Sequence, residues 1–148
     1  MGLSGGGSYT SGVPYWVIDG QLAISSRPGY QAGAEAAVPW EAVDAWIRRV
    51  RRAGVASILC LLDGDQLPLY EPALPRGLVA YYREAGFHVA HVPAPDGLPE
   101  PFTPEQYERI WRAFLELPKP VLVHCSAGLD RTGRAVRHIL DRLRNGAR

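Results

Sequence analysis

This sequence has few cysteines, little net charge and no long apolar run, and each of these features excludes a class of protein. Two cysteines in 148 residues do not support a disulfide framework and fit a reducing compartment. The formal net charge is only +1, so the chain lacks the basic surplus that nucleic acids and anionic membranes attract. No apolar stretch is long enough to span a bilayer. We therefore expect a cytoplasmic protein that binds neither nucleic acid nor a membrane.

The chain has the length of one compact domain. Its 148 residues, 47% of them hydrophobic, are enough to form a single core. Residues 1–12 are rich in glycine and serine, which predicts a flexible N-terminal arm ahead of one domain over residues 13–148. No charged segment followed by an apolar one opens the chain, so we expect no signal peptide. We expect a monomer, with a dimer as the alternative.

The run HCSAGLDRTG over residues 124–133 indicates the chemistry. A cysteine, five residues and then an arginine stand between a short apolar run and a helical pattern, an arrangement that builds a pocket for one phosphate. The backbone N–H groups of such a loop and the start of the next helix converge on the phosphate anion. The planar guanidinium of Arg131 can hold two phosphate oxygens. The same positive field stabilises the thiolate of Cys125 as a nucleophile.

This run resembles the signature HCxxGxxRTG of the cysteine-dependent protein tyrosine and dual-specificity phosphatases, and every fixed position matches. The resemblance implies that Cys125 attacks phosphorus, forms a phosphocysteine and is released by water, with no metal and no cofactor. It also implies that His124 maintains the shape of the loop and that Thr132 places a hydroxyl near the sulfur. Gly128 permits a backbone angle that a side chain would forbid. Three further loop residues contribute mainly their N–H groups: Ser126, Ala127 and Leu129.

A general acid must protonate the leaving oxygen, and two aspartates are candidates for this role. Asp96 follows a predicted strand, on the kind of loop where the phosphatase family usually carries its acid; a simple Asp-Gly turn is the alternative. Asp130 belongs to the phosphate loop itself and resembles an aspartate of some phosphoinositide phosphatases. It can serve as the acid, position water or cap the following helix. We assign the acid to Asp96, and helix capping or water positioning to Asp130.

Hydrophobic periodicity and turn residues predict alternating strands and helices. A hairpin around Asp19-Gly20 opens the domain. Helices are predicted at residues 39–52, 78–85, 104–115 and 131–144, and strands at residues 55–62, 88–93 and 121–124. This order, and the phosphatase resemblance over most of residues 13–144, predict an α/β domain with a central, mainly parallel sheet and helices on both faces. The phosphate loop would lie between a strand and a helix, at the edge where such sheets bind ligands.

Three further expectations concern residues outside the signature. Arg27, in the arginine-proline pair that resembles the opening of family members, is expected in a surface loop; the alternative, implied by some relatives, is a position at the border of the active site. Cys60 is expected to be a small buried hydrophobe; the alternative, implied by some relatives, is a disulfide with an oxidised Cys125. The last helix is expected to bury Leu143 and to complete a minimal version of the fold, with completion by another subunit as the alternative.

The expected substrate is a phosphorylated protein or a small phosphate ester. The chain is short and shows no phosphotyrosine-recognition insertion, which favours a shallow cleft of the dual-specificity type. A phosphoinositide or other small-molecule phosphatase is the alternative, although Leu129 and Asp130 occupy positions where such relatives often carry lysines. A rhodanese-type sulfurtransferase and a non-catalytic phosphate-binding module also remain open. The arginine-threonine-glycine ending of the run argues against the first, and the intact cysteine and arginine argue against the second.

Overall fold

The computed structural model describes residues 14–146, and within them the chain forms five strands and four α-helices. The strands are β1 (Tyr15–Ile18), β2 (Leu22–Ser25), β3 (Ser57–Cys60), β4 (His88–His91) and β5 (Val121–His124). The helices are α1 (Trp40–Arg52), α2 (Leu78–Glu84), α3 (Pro104–Glu116) and α4 (Asp130–Arg144), and a short 3-10 helix covers Leu67–Tyr70. The arm predicted over residues 1–12 lies outside the described residues.

The five strands form one sheet in the order β1-β2-β5-β3-β4. β1 is antiparallel to β2, whereas β2, β5, β3 and β4 run parallel to one another. The register places the last residues of these four strands side by side: Ser25, His124, Cys60 and His91. The predicted mainly parallel α/β sheet is therefore confirmed, and four loops leave it from one edge.

Helices cover both faces of this sheet, as predicted. One hydrophobic cluster joins the sheet to α1 and α2 and contains the fully buried rings of Trp46 and Tyr82. A second cluster joins the opposite face to α3 and α4. Ile58 lies in the first cluster and its neighbour Leu59 in the second, because successive side chains of a strand point to opposite faces.

Capping residues set the start of α3 and the end of α1. The Thr103 hydroxyl accepts from the Gln106 N–H at 3.1 Å, and the Gln106 side-chain oxygen accepts from the Thr103 N–H at 2.9 Å. This reciprocal pair satisfies two N–H groups at the start of α3. Gly54 follows α1 with φ of 89°, in the left-handed region where helices commonly end.

The end of α4 differs from the expectation. Leu143 is 42% exposed, and the last buried residue of the helix is Ile139. The prediction that Leu143 completes the core is therefore wrong, because the final turn of α4 packs little of its surface against the rest of the domain. It projects an apolar side chain into solvent instead.

Residues 14–146 contain neither a membrane-spanning helix nor a cluster of metal ligands. None of the helices there combines the length and apolar character that crossing a bilayer requires. No cluster of three or more histidine, cysteine, aspartate or glutamate side chains is placed there to hold a metal ion.

Candidate active site

Three of the four loops at the carboxyl edge of the parallel strands, those after β2, β4 and β5, line a cavity of about 270 Å³. The loop after β5 contributes the predicted nucleophile and arginine, the loop after β4 contributes Asp96, and the loop after β2 contributes residues 30–35. Charged or nucleophilic side chains of the lining are Glu35, Asp96, Cys125, Asp130 and Arg131. A second cavity, of about 620 Å³, adjoins the first at Asp130. The two candidate acids thus share one cavity with Cys125 and Arg131.

The phosphate loop is held against the end of β2. Cys125 is 2% exposed at the start of this loop. Gly128 has φ of 80°, and a Cβ added there would lie 2.5 Å from the backbone oxygen of Ser25. Only glycine combines this backbone angle with so close an approach. The invariant glycine of the signature is therefore required here by both conformation and space.

Arg131 is buried between three loops. Its Nη1 donates to the backbone oxygen of Ala94 at 2.9 Å, and its Nη2 lies 3.4 Å from Gln66 Oε1 and 3.5 Å from Asp96 Oδ2. Its Nε is buried and has no hydrogen-bond partner among the described residues, and the same is true of the Thr132 hydroxyl. These two buried donors of the phosphate loop therefore have unused hydrogen-bonding capacity.

His124 is fully buried with both ring nitrogens occupied. Its Nδ1 lies 2.9 Å from the backbone oxygen of Cys125, which can only accept, so Nδ1 carries the proton. Burial raises the pKa of Tyr82 well above its usual value, so the Tyr82 hydroxyl keeps its proton and donates to Nε2 at 2.8 Å. Burial also lowers the pKa of His124 to about 4. His124 is thus neutral near pH 7 and anchors the first residue of the loop.

Because His124 is buried, we expect the protein to lose stability in mild acid. Between pH 6.5 and about 4 the His124 side chain becomes protonated in the unfolded protein but stays neutral in the folded protein, because burial lowers its pKa. The free energy of unfolding should therefore fall by about 3 kcal/mol as pH drops through this window. Urea titrations at a series of pH values would measure the fall, and His124→Gln should show a correspondingly shallower one. Equal pH dependence in the two proteins would contradict the assignment.

The two candidate acids occupy different positions. The Asp96 side chain is 44% exposed and faces both Arg131 and Gln66, with Gln66 Nε2 at 3.4 Å from its Oδ2. Asp130 is exposed as the first residue of α4, and Leu129 occupies the capping position without a side-chain capping bond. The expectation that Asp130 caps α4 is therefore wrong, because Leu129 and not Asp130 occupies the capping position. A carboxylate in the first turn still interacts favourably with the helix dipole.

Arg27 corrects another sequence-based expectation. It is 1% exposed rather than on the surface, and its Nε donates to the Ser126 hydroxyl at 3.1 Å while its Nη1 donates to Tyr70 at 3.1 Å. Its backbone N–H also donates to the Ser126 oxygen at 2.8 Å. Ser126 therefore contributes more than its N–H group, because its hydroxyl and its backbone oxygen both accept hydrogen bonds from Arg27, which anchors the phosphate loop. The signal available in the sequence was the position of Arg27 just beyond a strand that ends at the site edge.

Cys60 behaves as a buried hydrophobe. It is 0% exposed and packs in the cluster under α1 and α2, whereas Cys125 packs in the cluster on the other face of the sheet. Burial raises the pKa of the Cys60 thiol to about 12, so this thiol stays protonated. Its burial favours the packing role over a redox partnership with Cys125.

The comparisons with known proteins agree with this architecture. Residues 32–146 match the family model described as "Polymorphic toxin system, DSP-PTPase phosphatase". No curated protein matches the chain in sequence to a significant degree.

Several solved structures share the fold. The active form of Tk-PTP matches with a TM-score of 0.63 and 26% identity, over 90% of this chain and 75% of that one. A putative phosphatase (DUF442) from Shewanella putrefaciens CN-32 matches with a TM-score of 0.60 and 20% identity, over 90% of this chain and 74% of that one. Kinase associated phosphatase matches with a TM-score of 0.62 and 19% identity, over 82% of this chain and 65% of that one. At the identities of the last two, the likeness is one of fold alone.

Proposed function

Because the chain belongs to the DSP-PTPase phosphatase family of polymorphic toxin systems, and is thus a cysteine-dependent phosphatase, we propose that it hydrolyses phosphotyrosine and phosphothreonine or phosphoserine monoesters of proteins at Cys125. The observation that carries this proposal is the phosphate loop, with Cys125 at the start and Arg131 buried beside the same cavity. Membership of a phosphatase family argues against the two alternatives, a sulfurtransferase and a non-catalytic phosphate-binding module.

The unpartnered donors support the binding of a phosphate monoester at this loop. A buried donor without a partner costs about 1–3 kcal/mol, and Arg131 Nε and the Thr132 hydroxyl are both of this kind among the described residues. A phosphate oxygen would accept from Arg131, and the sulfur of Cys125 would accept from Thr132. Loop N–H groups and the start of α4 add to the positive potential.

The proposed reaction has two steps. The Cys125 thiolate attacks phosphorus, an S–P bond forms, the ester P–O bond breaks, and the leaving oxygen takes a proton from the Asp96 carboxyl group. Water then attacks phosphorus and loses a proton to the Asp96 carboxylate, while the S–P bond breaks and returns the thiolate. Inorganic phosphate leaves, and both groups regain their starting states. Arg131 holds the phosphoryl oxygens throughout.

The charge of the cavity supports a protein substrate rather than a phosphoinositide. Three carboxylates, those of Glu35, Asp96 and Asp130, line the cavity beside one guanidinium. A single phosphate monoester fills the loop, but additional phosphates on an inositol ring would meet these carboxylates. Like charges a few Å apart near a protein surface repel with roughly 1–4 kcal/mol. We further propose that the domain acts as a cytoplasmic monomer and that residues 13–148 form it.

A substrate panel with a chemical quench tests this function. We expect phosphotyrosine and phosphothreonine peptides to show kcat/KM at least about tenfold above a short-chain phosphatidylinositol phosphate. Acid quench during turnover should trap phosphate on the peptide that contains Cys125. Glu35→Gln removes one of the three carboxylates and should raise the ratio of phosphoinositide to peptide activity. A phosphoinositide preference in the unaltered protein would contradict the substrate class, whereas turnover without a trapped phosphocysteine would contradict the mechanism.

A further inference from the structure

A buried amide joins the loops around the cavity. Gln66 follows β3, is 1% exposed and has its side chain between residues of three other loops. Its Nε2 lies 3.2 Å from Glu35 Oε2 and 3.4 Å from Asp96 Oδ2, and its Oε1 lies 3.4 Å from Arg131 Nη2. The segment that follows each of the four parallel strands thus supplies one side chain to this contact.

The chemistry of this position requires an amide. Two carboxylates need donors and one guanidinium needs an acceptor, and a neutral amide group supplies two N–H bonds and one oxygen. A carboxylate at this position would still accept from Arg131 but would repel Asp96. A thioether would fill the space but would lose all three polar contacts. Gln66→Glu and Gln66→Met therefore separate the contact with Arg131 from the contact with Asp96.

Asp96 needs such an anchor because its other contact is shared with the substrate. Its ion pair with Arg131 is long, at 3.5 Å, and the Asp96 side chain is 44% exposed next to Gly97. When a phosphate group engages the guanidinium, the hold of Arg131 on Asp96 weakens. Gln66 is buried, and its Nε2 contact with Asp96 does not involve the guanidinium, so this contact can hold the carboxyl group near the leaving oxygen while Arg131 binds phosphate.

We propose that Gln66 is the positioning residue for the general acid, an inference that rests on the assignment of Asp96 under the proposed function. Gln66 does not touch the reacting atoms. It fixes Asp96 at the edge of the phosphate pocket and couples it to Arg131 through one amide group. The loop after β3 therefore contributes to catalysis although it lends no reacting group.

The test compares aryl phosphates whose leaving phenols differ in acidity. Protonation by Asp96 matters most for the least acidic phenol, so Gln66→Met should lose about 10- to 100-fold in kcat with phenyl phosphate. With a strongly acidic nitrophenol the loss should be no more than about threefold. Gln66→Glu should show the same dependence on the leaving group, and its added negative charge should also weaken inhibition by inorganic phosphate, which reports on the Arg131 pocket. Gln21→Met, the same exchange at an exposed turn, should change neither, and thermal melting shows whether each variant is folded.

A double-mutant cycle separates positioning from a general structural role. In an Asp96→Asn background, Gln66→Met should cost no more than about twofold, because the group it positions is gone. Equal losses with every leaving group, or a full additional loss in the Asp96→Asn background, would overturn the inference and leave the phosphatase assignment intact. If Asp96→Asn itself shows no dependence on the leaving group, the acid assignment fails, and the role of Gln66 fails with it.

Discussion

Replacing Cys125 with serine should abolish turnover of p-nitrophenyl phosphate, with a loss in kcat on the order of 10⁴-fold or more. A serine hydroxyl is not ionised at neutral pH, and the neighbouring His124 cannot act as its base, since both of its ring nitrogens are occupied. No phosphoenzyme can then form. Steady-state assays, with the acid quench described above, measure both consequences.

The loss must come from the missing nucleophile and not from a damaged fold. Cys60→Ala is the matched control, because it removes the other thiol from a buried site with a raised pKa, and it should retain turnover within about threefold. Protection of Cys125→Ser against thermal unfolding by inorganic phosphate would show that its loop still binds the anion. If Cys125→Ser kept a tenth of the original rate, covalent catalysis at this residue would be wrong.

Asp96→Asn should lower kcat by about 10²- to 10⁴-fold with phenyl phosphate, the usual contribution of a positioned general acid. The loss should shrink as the leaving phenol becomes more acidic, because such a phenolate departs without a proton. The alkaline fall of the pH–rate profile should also flatten, since the amide has no proton to lose. Initial rates over a series of aryl phosphates and pH values test both statements.

Asp130→Asn is the comparison that decides between the two aspartates. Asp130 lines the same cavity and starts α4. Within residues 14–146, the ion pair of Arg131 is with Asp96, and the Asp130 side chain makes no hydrogen bond or ion pair with Arg131 or Gln66. We expect its exchange to change kcat by less than about tenfold and to leave the dependence on the leaving group unchanged. Should Asp130→Asn flatten the alkaline limb while Asp96→Asn leaves it intact, the roles are reversed.

The parts of the site that the sequence predicted are local in the chain. The phosphate loop, its glycine and its helix follow one another over ten residues, so their relative geometry is set by short-range conformational preferences. The position of Asp96 followed from one long-range rule, that the carboxyl ends of parallel strands share an edge. The same rule applies to Arg27 and Gln66. Nothing in their own neighbourhoods marks them, however, because a lone arginine or glutamine after a strand is most often a solvated loop residue.

Burial is where the sequence-based interpretation of Arg27 failed. Composition and hydropathy place arginine outside, but here a guanidinium is enclosed by the hydroxyls of Ser126 and Tyr70, 99 and 43 residues away in the chain. The opposite error concerns Leu143, which helical periodicity assigns to the core although the last turn of α4 leaves it 42% exposed. Periodicity identifies a face of a helix, but it cannot tell how far along the axis the neighbouring elements extend.

The amino-acid sequence alone determined the reaction class and the order of strands and helices, and it supplied the proposed nucleophile and phosphate-binding arginine, because each depends on residues close together in the chain. Only the tertiary structure decided which side chains surround that chemistry. Arg27 and Glu35 come from the loop after β2 and Gln66 from the loop after β3. The contacts of Arg27 with Ser126, and of Gln66 with Glu35, Asp96 and Arg131, exist only after the sheet has placed these loops at one edge. Hydrogen bonds and ion pairs act over a few Å, so distances along the chain do not reveal them until the fold has been formed.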